Sequence, residues 1–223
     1  MDFLQKVLWP LTSLLRLVLE AIVPIVHSYG LAVMLLSILV SVMLTPITRA
    51  ARRMEMFDKE RQERMAPLIA EVRANYRGQD RFEKTDEIYQ QFNYHPVKSM
   101  GSLLPLLVQL PFLLAALFLL LDYPPLAGQS FLFIGDLSRP DGAISLLGEG
   151  RSVNALPLIL TLVAIIDSVI RPEATRQTRL RFLIVSAVLV ILIYPFPAAV
   201  CLYWLTSNLV SLIRSIVGRF RRT

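Results

Sequence analysis

The chain has 223 residues, of which 55% are hydrophobic, and its mean hydropathy is +0.56. A soluble domain of this length rarely reaches such values, so the composition favours a membrane protein. The net charge of +6 is unevenly spread along the chain, and we interpret this distribution as a signal of membrane topology rather than of nucleic-acid binding. The one cysteine, Cys201, lies in an apolar run and excludes both an internal disulfide and a cysteine metal cluster.

The first 22 residues place apolar side chains at a helical spacing and polar side chains on the opposite face. Arg16 and Glu20 argue against a helix that spans the bilayer. We therefore predict that residues 1–22 form an amphipathic helix lying on the membrane surface, and a frayed tail is the alternative. A sixth span at residues 11–29 is rejected, because a charge at the bilayer centre costs roughly 2.5–3.5 kcal/mol.

The segment from Gly30 to Ile47 contains no charged residue and is long enough to cross a bilayer. We place the first transmembrane helix at residues 23–48. Three small polar residues interrupt its apolar run at intervals of four, which puts them on one helical face: Ser37, Ser41 and Thr45. The helix is thus predicted to carry a polar stripe.

Residues 49–98 carry 11 of the 23 Lys and Arg residues, together with a stripe of apolar residues at helical spacing. A turn is predicted at residues 77–80, where Arg-Gly-Gln-Asp interrupts the pattern. We predict a cytoplasmic helical hairpin whose second helix covers about residues 81–92. The alternative is a plain solvated loop, which is what charge runs usually are.

Four further apolar blocks follow the hairpin and make up the remainder of the membrane core at residues 99–214. They predict spans at about 100–121, 153–170, 180–194 and 197–213, followed by a basic cytoplasmic tail at 215–223. The predicted fold class is an all-α polytopic membrane protein. It has five transmembrane helices, an N-terminal interfacial amphipathic helix and a cytoplasmic helical hairpin.

Lys and Arg residues are distributed unequally between the two sides of the predicted spans. The hairpin has 11, and residues 171–181 and 214–223 have four each, whereas residues 1–22 and 122–154 have two each. The positive-inside rule places the richer side in the cytoplasm. The N-terminus is therefore predicted to lie outside and the C-terminus in the cytoplasm.

Catalytic motifs find little support in the sequence. It contains no HExxH, no Gly-x-Ser-x-Gly and no Cys/His pair. Asp167, the one acidic residue within a predicted span, lies four residues before Arg171, and an ion pair between them accounts for it. We therefore predict that the protein is not an enzyme and needs no cofactor or metal.

Uncharged polar residues inside the predicted spans form the remaining candidate site. Small polar residues commonly hold membrane helices together, and each of these residues, taken alone, can be interpreted in this way. The other interpretation is collective: buried polar groups without partners are costly, so the set indicates a wetted cavity among the helices. The set comprises Ser37, Ser41, Thr45, Gln109, Ser186, Thr206, Ser207 and Asn208, with Tyr203 and Trp204 beside it.

Four short motifs, in order from about residue 24 to residue 214, resemble the signature of a known family. They are Tyr29-Gly30…Thr45-Pro46, His95-Pro96…Gln109-Leu-Pro111, Phe133-Ile-Gly-Asp136-Leu-Ser and Phe196-Pro197…Leu202-Tyr203-Trp204…Ser207-Asn208-Leu209. Together with the five-span topology and the charged hairpin, they resemble the YidC/Oxa/Alb family of membrane protein insertases.

The resemblance implies a hydrophilic groove, open to the cytoplasm and to lipid, through which a client's polar segment enters while its apolar segment slides into the bilayer. No nucleotide is implied. The groove would be lined by Ser37, Ser41, Thr45, Gln109, Tyr203, Trp204, Thr206 and Asn208. The cytoplasmic hairpin would contact clients or partners through Arg49, Arg52, Arg53, Met54, Phe57 and Met65.

Implied partners are nascent or newly made membrane proteins and the lipid bilayer, with the Sec translocon and the ribosome as further candidates and no specific nucleic acid. The expected location is the bacterial plasma (inner) membrane. One position departs from the family, because Ser41 stands where the family usually has an arginine. The departure keeps a rival function open, a membrane assembly chaperone or scaffold that holds clients without inserting them; a small transporter and an enzyme are less favoured.

Overall fold

The computed structural model describes residues 2–94, 104–145, 152–170 and 191–220, and these are mostly helical. They divide into two compact units. The first consists of the chain up to Met43 together with the chain from Phe112 onward, and the second is Leu44–Pro111. The predicted span at residues 180–194 lies outside the described residues, apart from its helical end at 191–193.

Seven α-helices lie in the described residues. They are α1 (Asp2–Val26), α2 (Tyr29–Met43), α3 (Thr45–Asn75), α4 (Gly78–Gln91), α5 (Leu104–Leu121), α6 (Ala155–Ile170) and α7 (Ala198–Phe220). A 3₁₀ turn follows α5 at Pro124–Leu126, and two short antiparallel strands, β1 (Ile144–Ser145) and β2 (Ser152–Val153), precede α6. Ile144 pairs with Val153.

Helix α2 is central to the first unit, where it packs against both α1 and α7, and α7 also packs against α6. The buried side of α2 includes small and medium side chains such as Ala32, Val33 and Leu36. Small residues let helix backbones approach closely, and close packing is what holds helices together in lipid. The other side of α2 leaves large apolar residues such as Leu39 and Val42 exposed, as expected of a surface in contact with lipid.

Helix α1 is longer than the predicted residues 1–22 and is followed directly by α2. His27 has a positive φ of 53°, a left-handed conformation that ends α1 and turns the chain into α2. The predicted first span at residues 23–48 is accordingly represented by the end of α1, by α2 and by the start of α3. Pro46 lies in the first turn of α3, where its missing N–H has no helical partner to lose.

Two helices in the described residues are long and apolar enough to cross a membrane, Phe3–Val26 in α1 and Ala198–Val217 in α7. A third is added if α2 and α3 form one bent span. The apolar stretches Val108–Leu121 and Ala155–Asp167 are shorter. The five-span count and the surface position of α1 therefore stay predictions.

The second unit contains the hairpin, in which α3 and α4 pack against each other. The break between them falls at residues 76–77, and Gly78 already begins α4 with a φ of 59°, so the turn is shorter than the predicted 77–80. Met65 and Val72 on α3 are buried, whereas most charged side chains are exposed. Arg61 donates to the backbone carbonyl of Asn93 over 3.4 Å and thereby links the two arms.

The loop after α5 holds the first turn of α7. Asp136 accepts hydrogen bonds from the hydroxyl and the N–H of Ser138, at 2.7 and 2.9 Å, and from the N–H of Gly128 at 3.1 Å. The carbonyls of Leu137 and Arg139 then accept the N–H groups of Ala199 and Ala198, at 3.0 and 2.8 Å. Those amides have no partner within the helix, so the Asp-Leu-Ser motif acts as a cap built from backbone.

Candidate functional site: a polar seam between two packed helices

A polar seam runs along the contact between α2 and α7. We define the seam by Ser37 and Ser41 on α2 and by Tyr203, Ser207 and Arg214 on α7. The hydroxyl of Ser37, fully buried, donates to the backbone carbonyl of Tyr203 over 2.7 Å. One turn further along both helices, the hydroxyl of Ser41 donates to the hydroxyl of Ser207 over 3.3 Å.

Arg214 extends the seam towards the end of α7. Its guanidinium donates to the backbone carbonyl of Ser41 over 3.4 Å and to that of Val210, in its own helix, over 3.2 Å. The side chain is half-buried, so a positive charge lies beside Ser41 without being supplied by α2. The structure thus places the arginine of α7 next to Ser41, the residue that stands where the family usually has an arginine.

The pairing of Ser37 with Tyr203 and of Ser41 with Ser207 fixes the relative direction of the two helices. Both partners advance by four residues, so α2 and α7 run parallel. Side chains four residues apart lie on one face of a helix, which is why two serines on α2 meet one continuous stripe on α7.

Other predicted groove residues take different positions. Thr206 is buried and donates to the carbonyl of Leu202, four residues earlier in its own helix, over 2.8 Å. Asn208, half-buried, donates to the carbonyl of Trp204 over 2.9 Å. Each of these bonds gives the polar side chain a partner within its own helix, which lowers the cost of placing it in a membrane.

Thr45 and Gln109 belong to the second unit, and both side chains are half-buried. Their part in a groove therefore stays a prediction. Ser186, the other polar residue of the predicted set, lies outside the described residues.

The hairpin residues predicted to contact clients do not share one environment. The side chains of Arg49, Arg53, Met54 and Phe57 are exposed on α3. Met65, on the same helix, is instead buried, with about 1% of its surface exposed. The remaining predicted contact, Arg52, has a side chain outside the described set.

Residues that hold helix ends were not singled out from the sequence. Asp141 accepts the N–H of Ala155 over 2.5 Å and caps the start of α6. The side chain of Asn154, which is buried, accepts from the N–H of Gly142 over 3.0 Å and donates to the carbonyl of Tyr194 over 2.8 Å. Only Asn154 stands directly before α6, where Asn is a preferred residue, whereas Asp141 caps the helix from a point 14 residues earlier in the chain and has no local sequence signal.

Among the described residues, no group of three or more His, Cys, Asp or Glu is placed to hold a metal ion. Asp167 on α6 is buried, and its predicted ion-pair partner Arg171 lies outside the described residues. In the loop, hydrogen bonds from the Ser138 hydroxyl and then its N–H lower the pKa of Asp136, with smaller help from Gly128 and Arg139. The described site residues offer hydrogen bonds and one positive charge rather than a nucleophile with a base.

Comparison with known proteins decides the family. The sequence model of the family described as 60Kd inner membrane protein matches residues 21–221. The chain belongs to this family. The match covers most of the chain, including both helices of the seam, and it confirms the resemblance derived from the four motifs.

Relatives within the family are similar over most of this chain. The membrane protein insertase YidC of Methylobacillus flagellatus is 27% identical over 197 residues, which is 87% of this chain and 33% of that protein. The protein of the same name from Clostridium perfringens is 24% identical over 224 residues, 95% of this chain and 91% of that protein. The chain thus spans about a third of the first relative and nearly all of the second.

A solved structure shares the fold. The crystal structure of an active YidC insertase with its first transmembrane domain resolved matches with a TM-score of 0.56 at 18% identity. The match covers 94% of this chain and 45% of that one. This family fold therefore extends over nearly all of the present chain.

Proposed function

We propose that the chain is a membrane protein insertase of the bacterial inner membrane, which passes transmembrane segments of newly made clients into the lipid bilayer. Membership of the 60Kd inner membrane protein family supports the location, and relatives such as the Methylobacillus flagellatus protein carry the name insertase. The structural observation that carries the proposal is the polar seam, because it follows the contact between two apolar helices.

The seam provides a polar path whose opening costs little. Hydrogen bonds between helices in membranes contribute about 0.6 kcal/mol on average, since polar groups find other partners in the alternative state. Water or a client's polar segment can take the place of Ser207 as the partner of Ser41, or of Tyr203 as the partner of Ser37. A hydrated seam shortens the distance that a polar segment crosses without water, which lowers the main barrier to translocation.

The predicted groove combines this path with an apolar surface for the client's membrane segment. Trp204 and Asn208 lie half-buried on α7, about 40° apart around the helix axis at 100° per residue, where a client can reach them. Thr206 lies on the same helix, where it is buried. Burial of the client's apolar side chains in lipid, about 25 cal/mol per Å², drives the step without nucleotide hydrolysis.

The hairpin is proposed to receive clients at the cytoplasmic face. Exposed Met54 and Phe57 lie on α3 near exposed Arg49 and Arg53, a combination of apolar and basic side chains. Methionine adapts to varied apolar partners, and the arginines attract acidic segments or lipid headgroups. The Sec translocon and the ribosome are proposed further partners at this face.

The parallel arrangement of α2 and α7 supports the proposed topology. If both helices cross the membrane, the chain between Met43 and Ala198 crosses it an odd number of times. The predicted spans at 100–121, 153–170 and 180–194 supply three crossings. Charge then sets the direction, with the N-terminus outside and the C-terminus in the cytoplasm.

Photo-crosslinking tests the proposed client path. A photoreactive amino acid replaces Trp204 or Asn208, and each variant is presented with a stalled ribosome–nascent chain that carries one apolar segment. Ile213 provides the matched control, since it is exposed on the same helix, 180° from Trp204 at 100° per residue. We expect adducts at Trp204 and Asn208 that depend on the client's apolar segment and exceed those at Ile213. Equal adducts at all three positions would contradict a defined path.

One observation favours the rival function of a scaffold that holds clients without inserting them. Ser37 and Ser41 both bond across the helix contact, which is what residues that only hold helices together would do. Reconstitution of the purified chain alone into liposomes separates the two functions. An insertase moves a client's tail into the lumen, where added protease cannot reach it, whereas a scaffold leaves the tail accessible.

A further inference from the structure

A cavity of about 610 Å³ lies between α1 and the C-terminal end of α5, within the first unit. This volume falls within the range of pockets that bind small molecules. The cavity shares no residue with the polar seam. Its lining includes Lys6, Trp9, Arg16, Phe118, Leu119 and Asp122.

The charges of the cavity come from two different walls. Lys6 and Arg16 belong to α1, about 15 Å apart along the helix axis at 1.5 Å per residue. Asp122 is the residue that follows α5. The cavity therefore offers two cations and one carboxylate, a set that complements a ligand carrying both a phosphate and an ammonium group.

Arg16 packs against the residue that follows Asp122. The guanidinium of Arg16 is 5.5 Å from the centroid of the Tyr123 ring, and Tyr123 directly follows Asp122 in the chain. A cation held over an aromatic face keeps its hydrogen-bond donors in a fixed plane. A phosphate bound by Arg16 thus has a carboxylate nearby that can accept from an ammonium group two carbon atoms away.

The surface of α1 next to the cavity is apolar. Around the helix, the polar lining residues occupy one sector, and a neighbouring sector presents large apolar side chains. Phe3, Val7, Leu14 and Leu17 on that sector are each at least half exposed. A contiguous exposed apolar face beside a charged pocket suits an amphiphile, whose head enters the pocket and whose chains cover the face.

We propose that this cavity binds the headgroup of phosphatidylethanolamine, with the phosphate at Arg16, the ammonium at Asp122 and the acyl chains along the apolar face of α1. The bound lipid would anchor α1 against the end of α5, whether α1 lies on the membrane surface or spans the membrane. The site does not depend on the insertase function, because none of its residues belongs to the seam or to the hairpin.

Fluorescence of Trp9 reports occupancy of the cavity. The chain has two tryptophans, so Trp204→Phe leaves Trp9 as the only one. The full chain in detergent is titrated with short-chain phosphatidylethanolamine, and separately with phosphatidylcholine and phosphatidylglycerol of the same chain length. We expect a saturable change in Trp9 fluorescence. Phosphatidylethanolamine should reach half-saturation at about a fivefold lower concentration than phosphatidylcholine, because a partly exposed ion pair between its ammonium group and Asp122 adds about that much affinity.

Two variants test the assigned contacts. Asp122→Asn is expected to abolish the preference for phosphatidylethanolamine over phosphatidylcholine, whose quaternary ammonium cannot donate a hydrogen bond. Arg16→Gln is expected to weaken the binding of all three lipids by about fivefold. Asp80→Asn, an exposed acidic residue of α4 outside the cavity, is the matched control and is expected to leave the preference unchanged.

Equal half-saturation for phosphatidylethanolamine and phosphatidylcholine, or tighter binding of phosphatidylglycerol, would overturn the proposal. An unchanged preference in Asp122→Asn would do the same. If Trp204→Phe fails to fold, native mass spectrometry of the unmodified chain with an equimolar mixture of the three lipids replaces the titration. Retention of phosphatidylethanolamine above the other two supports the proposal, and equal retention refutes it.

Discussion

Ser37 on α2 and Tyr203 on α7 are 166 residues apart in the sequence and are joined by a hydrogen bond of 2.7 Å from the serine hydroxyl to the tyrosine backbone carbonyl. The bond is fully buried and joins two apolar helices. Because it uses the backbone of Tyr203, the contact tolerates different side chains on α7 but requires a small hydroxyl residue on α2. Ser37 is therefore the position at which the seam is most sensitive to substitution.

Removal of the Ser37 hydroxyl tests that sensitivity. Ser37→Ala is expected to lower the free energy of unfolding by about 0.6 kcal/mol, and by no more than about 1.7 kcal/mol, the range measured for hydrogen bonds between membrane helices. Thermal unfolding in detergent, followed by circular dichroism, provides the measurement. Ser215→Ala is the control, because the hydroxyl of Ser215 donates within its own helix to Ser211. Equal losses of unfolding free energy in the two variants would contradict an interhelical role for the Ser37 hydroxyl.

Arg214 and position 41 are expected to be coupled. Ser41→Arg places a second guanidinium beside that of Arg214, which already donates to the Ser41 carbonyl. In a hydrated groove the new arginine is solvated, so the chain still folds, but repulsion lowers its stability relative to Ser41→Leu. Combining Ser41→Arg with Arg214→Gln is expected to restore part of the loss, with a coupling of about 0.5–3 kcal/mol.

The four members of this cycle are compared by thermal unfolding in one detergent. If Ser41→Arg fails to fold while Ser41→Leu is stable, the hydrated groove is excluded at this position. If Arg214→Gln leaves the effect of Ser41→Arg unchanged, the two positions are independent.

Gly30, at the start of α2, has no room for a side chain. A Cβ at this position would overlap the ring of Phe131 and lie 2.6 Å from its Cβ. Gly30→Ala is therefore expected to destabilise the protein by about 1–3 kcal/mol through overpacking. Gly135→Ala is the matched control, since a Cβ there meets nothing within 4 Å. Both variants are compared by thermal unfolding, and similar stabilities would show that Phe131 moves aside readily.

The carboxyl group of Asp136 is expected to make the stability of the loop that caps α7 depend on pH. Its pKa is lowered in the folded state, first by the hydroxyl and N–H of Ser138, from an ordinary value of 3.8. A carboxyl group with a depressed folded pKa stabilises the fold above its unfolded pKa, and this contribution is lost as the pH falls through the folded value. The melting temperature is therefore expected to fall as the pH drops below about 4.

Asp136→Asn is expected to be less stable than the unmodified chain at neutral pH and to show a weaker dependence on pH below about 4. Ser138→Ala removes the hydroxyl that contributes most to lowering the pKa of Asp136. Its melting temperature is expected to depend on pH less steeply than that of the unmodified chain and more steeply than that of Asp136→Asn. Melting curves between neutral and acidic pH measure both. Parallel curves for Asp136→Asn and the unmodified chain would assign the acid sensitivity to other carboxyl groups.

Several features could be predicted from the sequence because they depend on neighbouring residues. The apolar runs predicted that helices exist at α2, α5, α6 and α7, and the stripe of apolar residues at helical spacing in residues 49–98 predicted the hairpin. The positions of helix ends were less accurate. The left-handed conformation of His27 ends α1 at Val26, beyond the predicted residue 22, and α2 begins only at Tyr29; no residue type at position 27 required this conformation.

The four motifs, taken together, determined the family from sequence alone, and comparison confirmed it over residues 21–221. The chemistry of the polar residues was decided only by tertiary structure. The serines of α2 could either hold helices together or line a cavity, and their partners on α7 lie 166 residues away. Arg214 was interpreted as a topology signal, yet it donates to Ser41. Local sequence sets which face of a helix is polar, but which helix meets that face depends on the packing of the whole chain.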